Sequence, residues 1–231
     1  MIICSRVSRY EYHFMNKDFD NNYSSRNLLE LIREGEHIKQ DFKYKISDSR
    51  KIARTISAFS NTSGGRLLIG VRDNGIIAGV KDEDDIYMIE NATQIFLSPA
   101  INPEILAHNL DGKVVWEINI PEGPNKPYKV EELDSMTAYY RDQDENFAAN
   151  AVLIEVWKQK QANKSKRPVE FSDSERKLID YLKVYAGIST SKAAKVMAVD
   201  RRRTIETLAR LIRWEIIDWT QDRGRFEYFL D

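Results

Sequence analysis

Residues 52–80 place a helix, a glycine pair and a buried strand in immediate succession. Apolar residues recur at helical spacing up to the loop Asn61–Gly65, and the RLLIGVRD stretch that follows is nearly all apolar. Such a run is typical of a strand that is buried on both faces. Asn74-Gly75 then predicts a hairpin turn. A helix next to a strand that is buried on both faces indicates an α/β arrangement, because the helix can cover one of those faces.

The surrounding pattern extends this arrangement to an α+β, mixed α/β domain with a mixed sheet over residues 24–157, after a lead-in at residues 1–23. The other predicted elements are a helix capped by Ser24-Ser25 and stopped at Gly35, a strand within 37–46, a helix capped by Ser47-Asp48, a helix at 82–97, strands at 103–109 and 113–120, a loop and strand at 121–130, a strand at 137–142, and a closing helix at 147–158.

Charge is unevenly distributed along the chain. Residues 1–157 hold 18 Lys and Arg against 25 Asp and Glu, whereas residues 158–231 hold 17 against 11, a net charge of +6. Residues 158–169 contain five basic residues, no acidic residue and one proline, which predicts a linker. This linker is either a solvated tether or a basic arm that touches phosphates. A polyanion is therefore expected to bind mainly through the C-terminal third.

Residues 170–231 have the pattern of a winged helix-turn-helix domain. Ser172 caps a predicted helix at 173–185, a second helix covers 190–197, and Asp200 caps a third. The last residues predict two strands around a turn at 222–225. Three helices followed by a β-hairpin make up the winged-helix plan.

Several cations of this domain are candidates for nucleic-acid contact. Three arginines at the start of the third helix oppose its dipole, so another role is expected for them. Arginine binds phosphate, or guanine through two hydrogen bonds. The predicted contacts are Arg201, Arg202 and Arg203 on the recognition helix, Lys192 and Lys195 on the supporting helix, and Arg223 and Arg225 at the wing tip. The alternative is a winged helix used for protein contact or dimerisation.

Three segments resemble the Schlafen AlbA-type domain family over roughly residues 30–155. They are GEHIKQDFK at 35–43, the helix, Asn-Thr-x-Gly-Gly loop and strand of 52–80, and KPYK with YYRDQDENFAAN within 126–150. The resemblance implies a bacterial DNA-binding protein of the kind that carries a C-terminal winged helix and regulates transcription. In the closing segment Arg141 is kept, but the family's glycine and serines are replaced by acidic and amide residues.

The resemblance also implies a candidate catalytic site. In the nuclease members of the family, carboxylates at the positions of Glu36, Asp41 and Asp73 form a metal-dependent site, for which Mg²⁺ or Mn²⁺ is the suitable ion. The alternative, which we favour, is that Glu36 and Asp41 are ordinary strand and cap residues and that Asp73 begins an Asp-Asn-Gly turn.

The glycine pair does not form a phosphate-binding P-loop. That motif runs strand, glycine loop, helix and ends in Gly-Lys-Ser/Thr, whereas here the glycines follow a helix and precede a strand. Lys43 and Lys45, with Lys51 and Arg54 on the next helix, are the better candidate nucleic-acid contacts in this domain. A solvated charged face explains them equally well.

The remaining expectations concern location and partners. The single cysteine, Cys4, cannot form a disulfide within the chain, no apolar run reaches the length of a membrane span, and the first residues lack the apolar core of a signal peptide. We therefore expect a cytoplasmic, DNA-binding transcriptional regulator, with DNA favoured over RNA, no membrane partner, and a homodimer as an option. No cofactor is required unless the nuclease alternative holds.

Overall fold

The structure is a computed structural model that describes residues 21–80, 84–162 and 170–231. Most of the predicted lead-in and most of the predicted linker lie outside the described residues. The elements up to the linker are α1 (Asn21–Glu34), β1 (Gln40–Lys43), α2 (Ser49–Asn61), β2 (Gly65–Ile69), α3 (Asp84–Gln94), β3 (Leu97–Ser98), β4 (Glu104–Leu110), β5 (Lys113–Ile120), β6 (Lys129–Glu131), β7 (Met136–Asp142), β8 (Glu145–Ala148) and α4 (Ala151–Gln161).

The first sheet is mixed, as the sequence predicts. Its strands lie in the order β1-β2-β5-β4, with β1 parallel to β2 and the other neighbours antiparallel. Leu67, Leu68 and Ile69 of β2 are fully buried, so the central strand is covered on both faces. One of these faces packs against Leu28 and Leu31 of α1. This strand therefore sits at the centre of the domain.

A second sheet of four short antiparallel strands was not anticipated. Its order is β3-β6-β7-β8, and β3 has only two residues. Helix α2 contacts strands of both sheets, and its Ile52, Ile56 and Phe59 are buried between them. The helix at 49–61 is thus the central layer that joins the two sheets.

Several predicted boundaries need correction. Helix α1 extends back to Asn21, so Ser24 and Ser25 lie within it and do not cap it. Residues 145–148 form β8, and the closing helix begins at Ala151, where the Asn150 side chain accepts from the Leu153 N–H. This helix runs to Gln161, past the predicted linker start at 158, because Val156 and Trp157 are buried against neighbouring elements.

The C-terminal part contains the predicted helices and strands. They are α5 (Asp173–Val184), α6 (Thr190–Met197), α7 (Arg201–Arg213), β9 (Ile217–Asp222) and β10 (Arg225–Leu230). Ser172 caps α5 in a capping box with Glu175, and Asp200 caps α7. Ile188 adds an isolated bridge to Tyr228 of the hairpin. We refer to these residues, 170–231, as the C-terminal unit.

The C-terminal unit packs against the first domain through α4 and the hairpin. Val152 and Val156 of α4 belong to the apolar core of the unit, while Leu153 and Trp157 pack with Ala138 and Tyr140 of β7. The Asn150 Nδ2 also donates to the Tyr228 hydroxyl at 3.0 Å. Helix α4 therefore belongs to both cores.

The helices of the protein are short relative to the thickness of a lipid bilayer. Within residues 21–80, 84–162 and 170–231, none combines the length and the apolar character that a membrane span needs.

Candidate functional site

The Asn-Thr-x-Gly-Gly loop joins α2 to the second sheet. The Nδ2 of Asn61 donates to the carbonyls of Tyr128 and Tyr139 at 2.8 and 2.9 Å, and its Oδ1 accepts from the Tyr128 N–H at 2.7 Å. The Thr62 Oγ1 accepts from the Arg141 N–H at 2.9 Å. Asn61 is only 2% exposed, and its amide provides hydrogen-bond partners for these backbone groups.

The glycines of this loop are required by close packing. Gly64 has φ +69°, and a Cβ there would lie 2.8 Å from the Glu122 nitrogen; a Cβ at Gly65 would lie 2.4 Å from the Phe59 ring. The Gly64 N–H donates to the Phe59 carbonyl, which closes the helix end. The loop is therefore an architectural element of the domain, and this amide is already engaged within the chain.

Arg141 is a buried cation that brings the first and last similar segments together. Its guanidinium donates to the carbonyls of His37 and Gln40 and to Asn146 Oδ1, at 3.1–3.4 Å, and lies 4.8 Å from the centre of the Phe59 ring. These hydrogen bonds hold residues 37–40 in place. Because Arg141 is only 2% exposed, it presents little charge to solvent.

Two of the three predicted carboxylates lie together beside Arg141. The Oδ1 of Asp41 is 3.7 Å from Arg141, and its Oδ2 is 2.8 Å from Lys43. Glu36 accepts from the Phe42 N–H at 2.9 Å. Burial and a hydrogen bond with Asp41 raise the pKa of Glu36 above its usual value, although the Phe42 N–H acts in the opposite direction.

This arrangement does not fit a metal held by Glu36, Asp41 and Asp73. Both oxygens of Asp41 face a cation, and Asp73 lies in the exposed turn that follows β2. Among the described residues, no three His, Cys, Asp or Glu side chains form a group that could hold a metal ion. The predicted triad is therefore not assembled, because Asp41 is used to neutralise its basic neighbours.

The cations predicted on the first domain differ in their availability. Lys43 is engaged by Asp41, whereas Lys45 and Lys51 are exposed. Arg54 makes two hydrogen bonds to Glu132, at 2.8 and 2.7 Å, and this pairing lowers the Glu132 pKa. Lys45 and Lys51 are thus the more accessible of the four.

The predicted recognition helix is exposed mainly at its beginning. Arg201, Arg202 and Arg203 are all exposed; the side chains of Arg202 and Arg203 are 89% and 75% accessible, although Arg202 lies 2.9 Å from Glu206. Beyond this turn, α4 lies beside α7. Gln159 Nε2 of α4 donates to the Glu206 carbonyl at 3.2 Å.

Arg210 and Arg213, further along α7, are held by neighbouring helices. Arg210 forms an ion pair with Glu175 of α5, and Arg213 Nη1 donates to the Gln159 carbonyl at 3.0 Å. Only the N-terminal turn of α7 therefore presents a cluster of exposed arginines among the described residues of this helix.

The other predicted contacts of the C-terminal unit are also exposed. Lys192 lies over the Tyr181 ring at 5.8 Å, and Lys195 points to solvent on α6. Arg223 and Arg225 are exposed at the hairpin turn. The register pairs Arg225 with Asp222 and Thr220 with Glu227, so the exposed hairpin face also carries acidic residues.

The contacts of Asn61 and the burial of Arg141 were not foreseen. The partners of Asn61 lie 67 and 78 residues away, and those of Arg141 lie up to 104 residues away. The signal available in the sequence was the resemblance of three separate segments to the Schlafen AlbA-type family. The contacts of Asn61 and Arg141 bring these same three segments together.

A family match covers almost all of these three segments. The family model described as Schlafen, AlbA_2 matches residues 36–150. The DIP2311 protein of Corynebacterium diphtheriae is 18% identical, with 61% of this chain and 28% of that chain covered at a TM-score of 0.45. The N-terminal domain of a RecG-related protein of Nitrosomonas europaea is 20% identical, with 62% of this chain and 93% of that chain covered at a TM-score of 0.38.

The chain thus spans 28% of the length of the first of these structures. The matched segment begins at Glu36 and ends at Asn150, and it contains the Asn61 loop, the buried Arg141 and both sheets. Residues 36–150 of this protein therefore form a domain of the Schlafen AlbA_2 family.

Proposed function

We propose that this protein binds nucleic acid, DNA in preference to RNA, through its C-terminal unit, and that it regulates transcription in the cytoplasm. In this proposal the C-terminal unit acts as a winged helix, and the AlbA_2 domain is a nucleic-acid- or effector-binding partner. The observation that carries the proposal is the exposed cluster Arg201–Arg203 at the start of α7.

The geometry of α7 favours contact by its first turn. In helix-turn-helix proteins, the N-terminal residues of the recognition helix face the bases. The Asp200 carboxylate accepts from the Arg203 N–H at 2.8 Å, so this end of the helix already has an anionic cap. Phosphates would therefore be bound by the arginine side chains and not by the helix amides.

The preference for DNA follows from groove dimensions. The major groove of B-form DNA admits a helix end, whereas the corresponding groove of A-form RNA is deep and too narrow to be read by side chains. The hairpin adds Arg223 and Arg225 at its tip, but the acidic residues beside them limit its contact to that tip.

The test is binding of fluorescent duplex DNA by the full chain, measured by anisotropy between 50 and 250 mM salt. Replacing Arg201, Arg202 and Arg203 with alanine removes up to three phosphate contacts. The slope of log K against log salt concentration should then become shallower by about 2–3, since each contact contributes about 0.9.

A matched control removes the same charge elsewhere. Arg33, Arg72 and Lys113 are exposed outside the C-terminal unit, and their alanine triple variant should bind DNA as the unchanged protein does. If the two triple variants lose affinity equally, binding depends on net charge alone and the proposal is wrong. Equal affinity for duplex RNA would remove the DNA preference.

The nuclease alternative requires Glu36, Asp41 and Asp73 to rearrange around Mg²⁺ or Mn²⁺. Its test is incubation of labelled RNA and DNA with either metal. Cleavage that Asp73→Ala abolishes would support it, and intact substrate under both conditions would remove it.

The dimerisation alternative predicts a different outcome. The chain would sediment as a homodimer, and its affinity for DNA would not depend on salt. Sedimentation velocity at several protein concentrations, combined with the salt dependence of DNA affinity, distinguishes this role from the proposed one, and a strictly monomeric chain would count against it.

A further inference from the structure

Helix α7 has only one exposed turn. Arg201–Arg203 are exposed to solvent, whereas no residue from 204 to 214 is exposed. Thr204, Leu208 and Leu211 are fully buried in the C-terminal unit. A helix that lies along the major groove reads bases with side chains from successive turns, as in homeodomains and zinc fingers. Helix α7 therefore lacks the exposed face that this mode of reading needs.

Two neighbouring helices cover the later turns of α7. The side chain of Gln159, on α4, donates to the Glu206 carbonyl at 3.2 Å, and the Gln159 carbonyl accepts from Arg213 at 3.0 Å. On α5, Glu175 forms an ion pair with Arg210. The arginines of the third and fourth turns are therefore engaged within the chain and are not available to bases.

The packing of α4 on α7 also limits how far α7 can enter a groove. Val152 and Val156 of α4 share an apolar cluster with Leu208, Ala209 and Leu211 of α7. Two helices that pack side by side lie about 8–10 Å apart and are each about 10 Å across, so the pair is about 20 Å wide. The major groove of B-form DNA is about 12 Å wide. The groove therefore admits the end of α7 but not its length.

Few contacts of α7 remain that could distinguish one base pair from another. Arg202 lies 2.9 Å from the Glu206 carboxylate and Arg203 lies 3.9 Å from that of Asp200, so both arginines share their charge with an acidic neighbour. An arginine that reaches guanine through two hydrogen bonds favours it by about 10- to 100-fold. One such contact falls short of the preference of about 1,000-fold or more that sequence-specific proteins show.

We infer that the C-terminal unit binds B-form DNA largely independently of its sequence, through contacts to the phosphates. The inference rests on the DNA binding proposed above and specifies the substrate class of the same site. Exposed cations on α6 and at the hairpin turn can add phosphate contacts to those of α7; they are Lys192, Lys195, Arg223 and Arg225. Any choice of a particular promoter would then have to come from outside the C-terminal unit.

The test is selection by the full chain from a library of random duplexes of about 20 base pairs. The most enriched duplex and shuffled versions of it then compete with a fluorescent duplex, and shuffling should lower affinity by less than about 100-fold. A loss of more than about 100-fold on shuffling would overturn the inference while leaving DNA binding intact. Absence of binding to every duplex would remove both the inference and the proposed DNA binding.

Two matched variants locate the contact on α7. Thr207→Ala changes a partly buried side chain in the second turn, where a helix lying in the groove would contact bases, and should leave the affinity for every duplex unchanged. Arg201→Ala should lower the affinity for all duplexes by a similar factor, because it removes a phosphate contact. A loss of more than about fivefold in Thr207→Ala, or a loss in Arg201→Ala that is confined to one sequence, would contradict the inference.

Discussion

At the scale of single residues, Asn61 connects distant parts of the AlbA_2 domain. Its amide makes hydrogen bonds to both the N–H and the carbonyl of Tyr128 and to the carbonyl of Tyr139. Tyr139 belongs to β7 of the second sheet and Tyr128 immediately precedes β6, while Asn61 ends the helix that lies between the two sheets. One side chain therefore ties the end of α2 to the second sheet.

Replacing Asn61 with alanine should destabilise the domain by about 3 kcal/mol, since buried backbone groups of Tyr128 and Tyr139 lose their partner. Urea unfolding followed by circular dichroism measures this loss. Asn91 is exposed on α3 and serves as the control; Asn91→Ala should change stability by less than about 0.5 kcal/mol. Equal effects of the two substitutions would refute the role assigned to Asn61.

The sequence predicts the position of the loop around Asn61, but not the contacts that the loop makes. The pattern shows where a helix ends and a strand begins, because both depend on neighbouring residues. The need for glycine at 64 and 65 comes from Glu122 and Phe59, whose approach depends on the folded domain.

At the scale of elements, the ion pair between Glu175 and Arg210 joins α5 to α7. Glu175 is 4% exposed and also accepts from the Ser172 N–H and hydroxyl at 2.8 and 2.9 Å. Burial raises the pKa of Glu175, but Ser172 and Arg210 together outweigh burial and hold the pKa below its usual 4.5. The ionised carboxylate therefore stabilises the folded state.

The stability contributed by Glu175 is fully present above about pH 5 and is lost as the pH falls through its lowered pKa in the folded protein. Glu175→Gln should therefore cost about 1–2 kcal/mol at pH 7 and less at pH 3. Urea unfolding at both pH values measures the difference. Glu170 is exposed, so Glu170→Gln should show no such pH dependence; a cost for Glu175→Gln that is the same at pH 3 and 7 would contradict the assignment.

At the scale of the whole molecule, the C-terminal unit is packed on the AlbA_2 domain. Trp219 and Phe226 of the hairpin contact Tyr140, and α4 contributes apolar side chains to both cores. The linker interpretation of residues 158–169 therefore applies at most to the residues after Gln161, where α4 ends. We expect the two parts to unfold together.

Scanning calorimetry of the full chain should show one transition. Trp219→Ala removes a half-buried ring from the contact, should cost about 2–3 kcal/mol, and should separate the unfolding into two transitions. Val184→Ala, on an exposed side chain of α5, is the control and should keep a single transition. Two transitions in the unchanged protein would show that the contact does not couple the parts.

Most local features of this protein were determined by its sequence alone. Helix caps at Asp48, Ser172 and Asp200, the buried strand β2, and the turn at Asn74-Gly75 all follow from residues close in the chain. The family also followed from sequence, because its three segments keep recognisable residues.

Only the tertiary structure decided how these segments are used. Asp41 is neutralised by Lys43 and Arg141, α7 is flanked by α4, and Asn61 ties α2 to the backbone at Tyr128 and Tyr139. Each of these outcomes depends on groups far apart in the chain, whose approach is governed by the burial of apolar surface over the whole molecule. A local pattern cannot specify such distances.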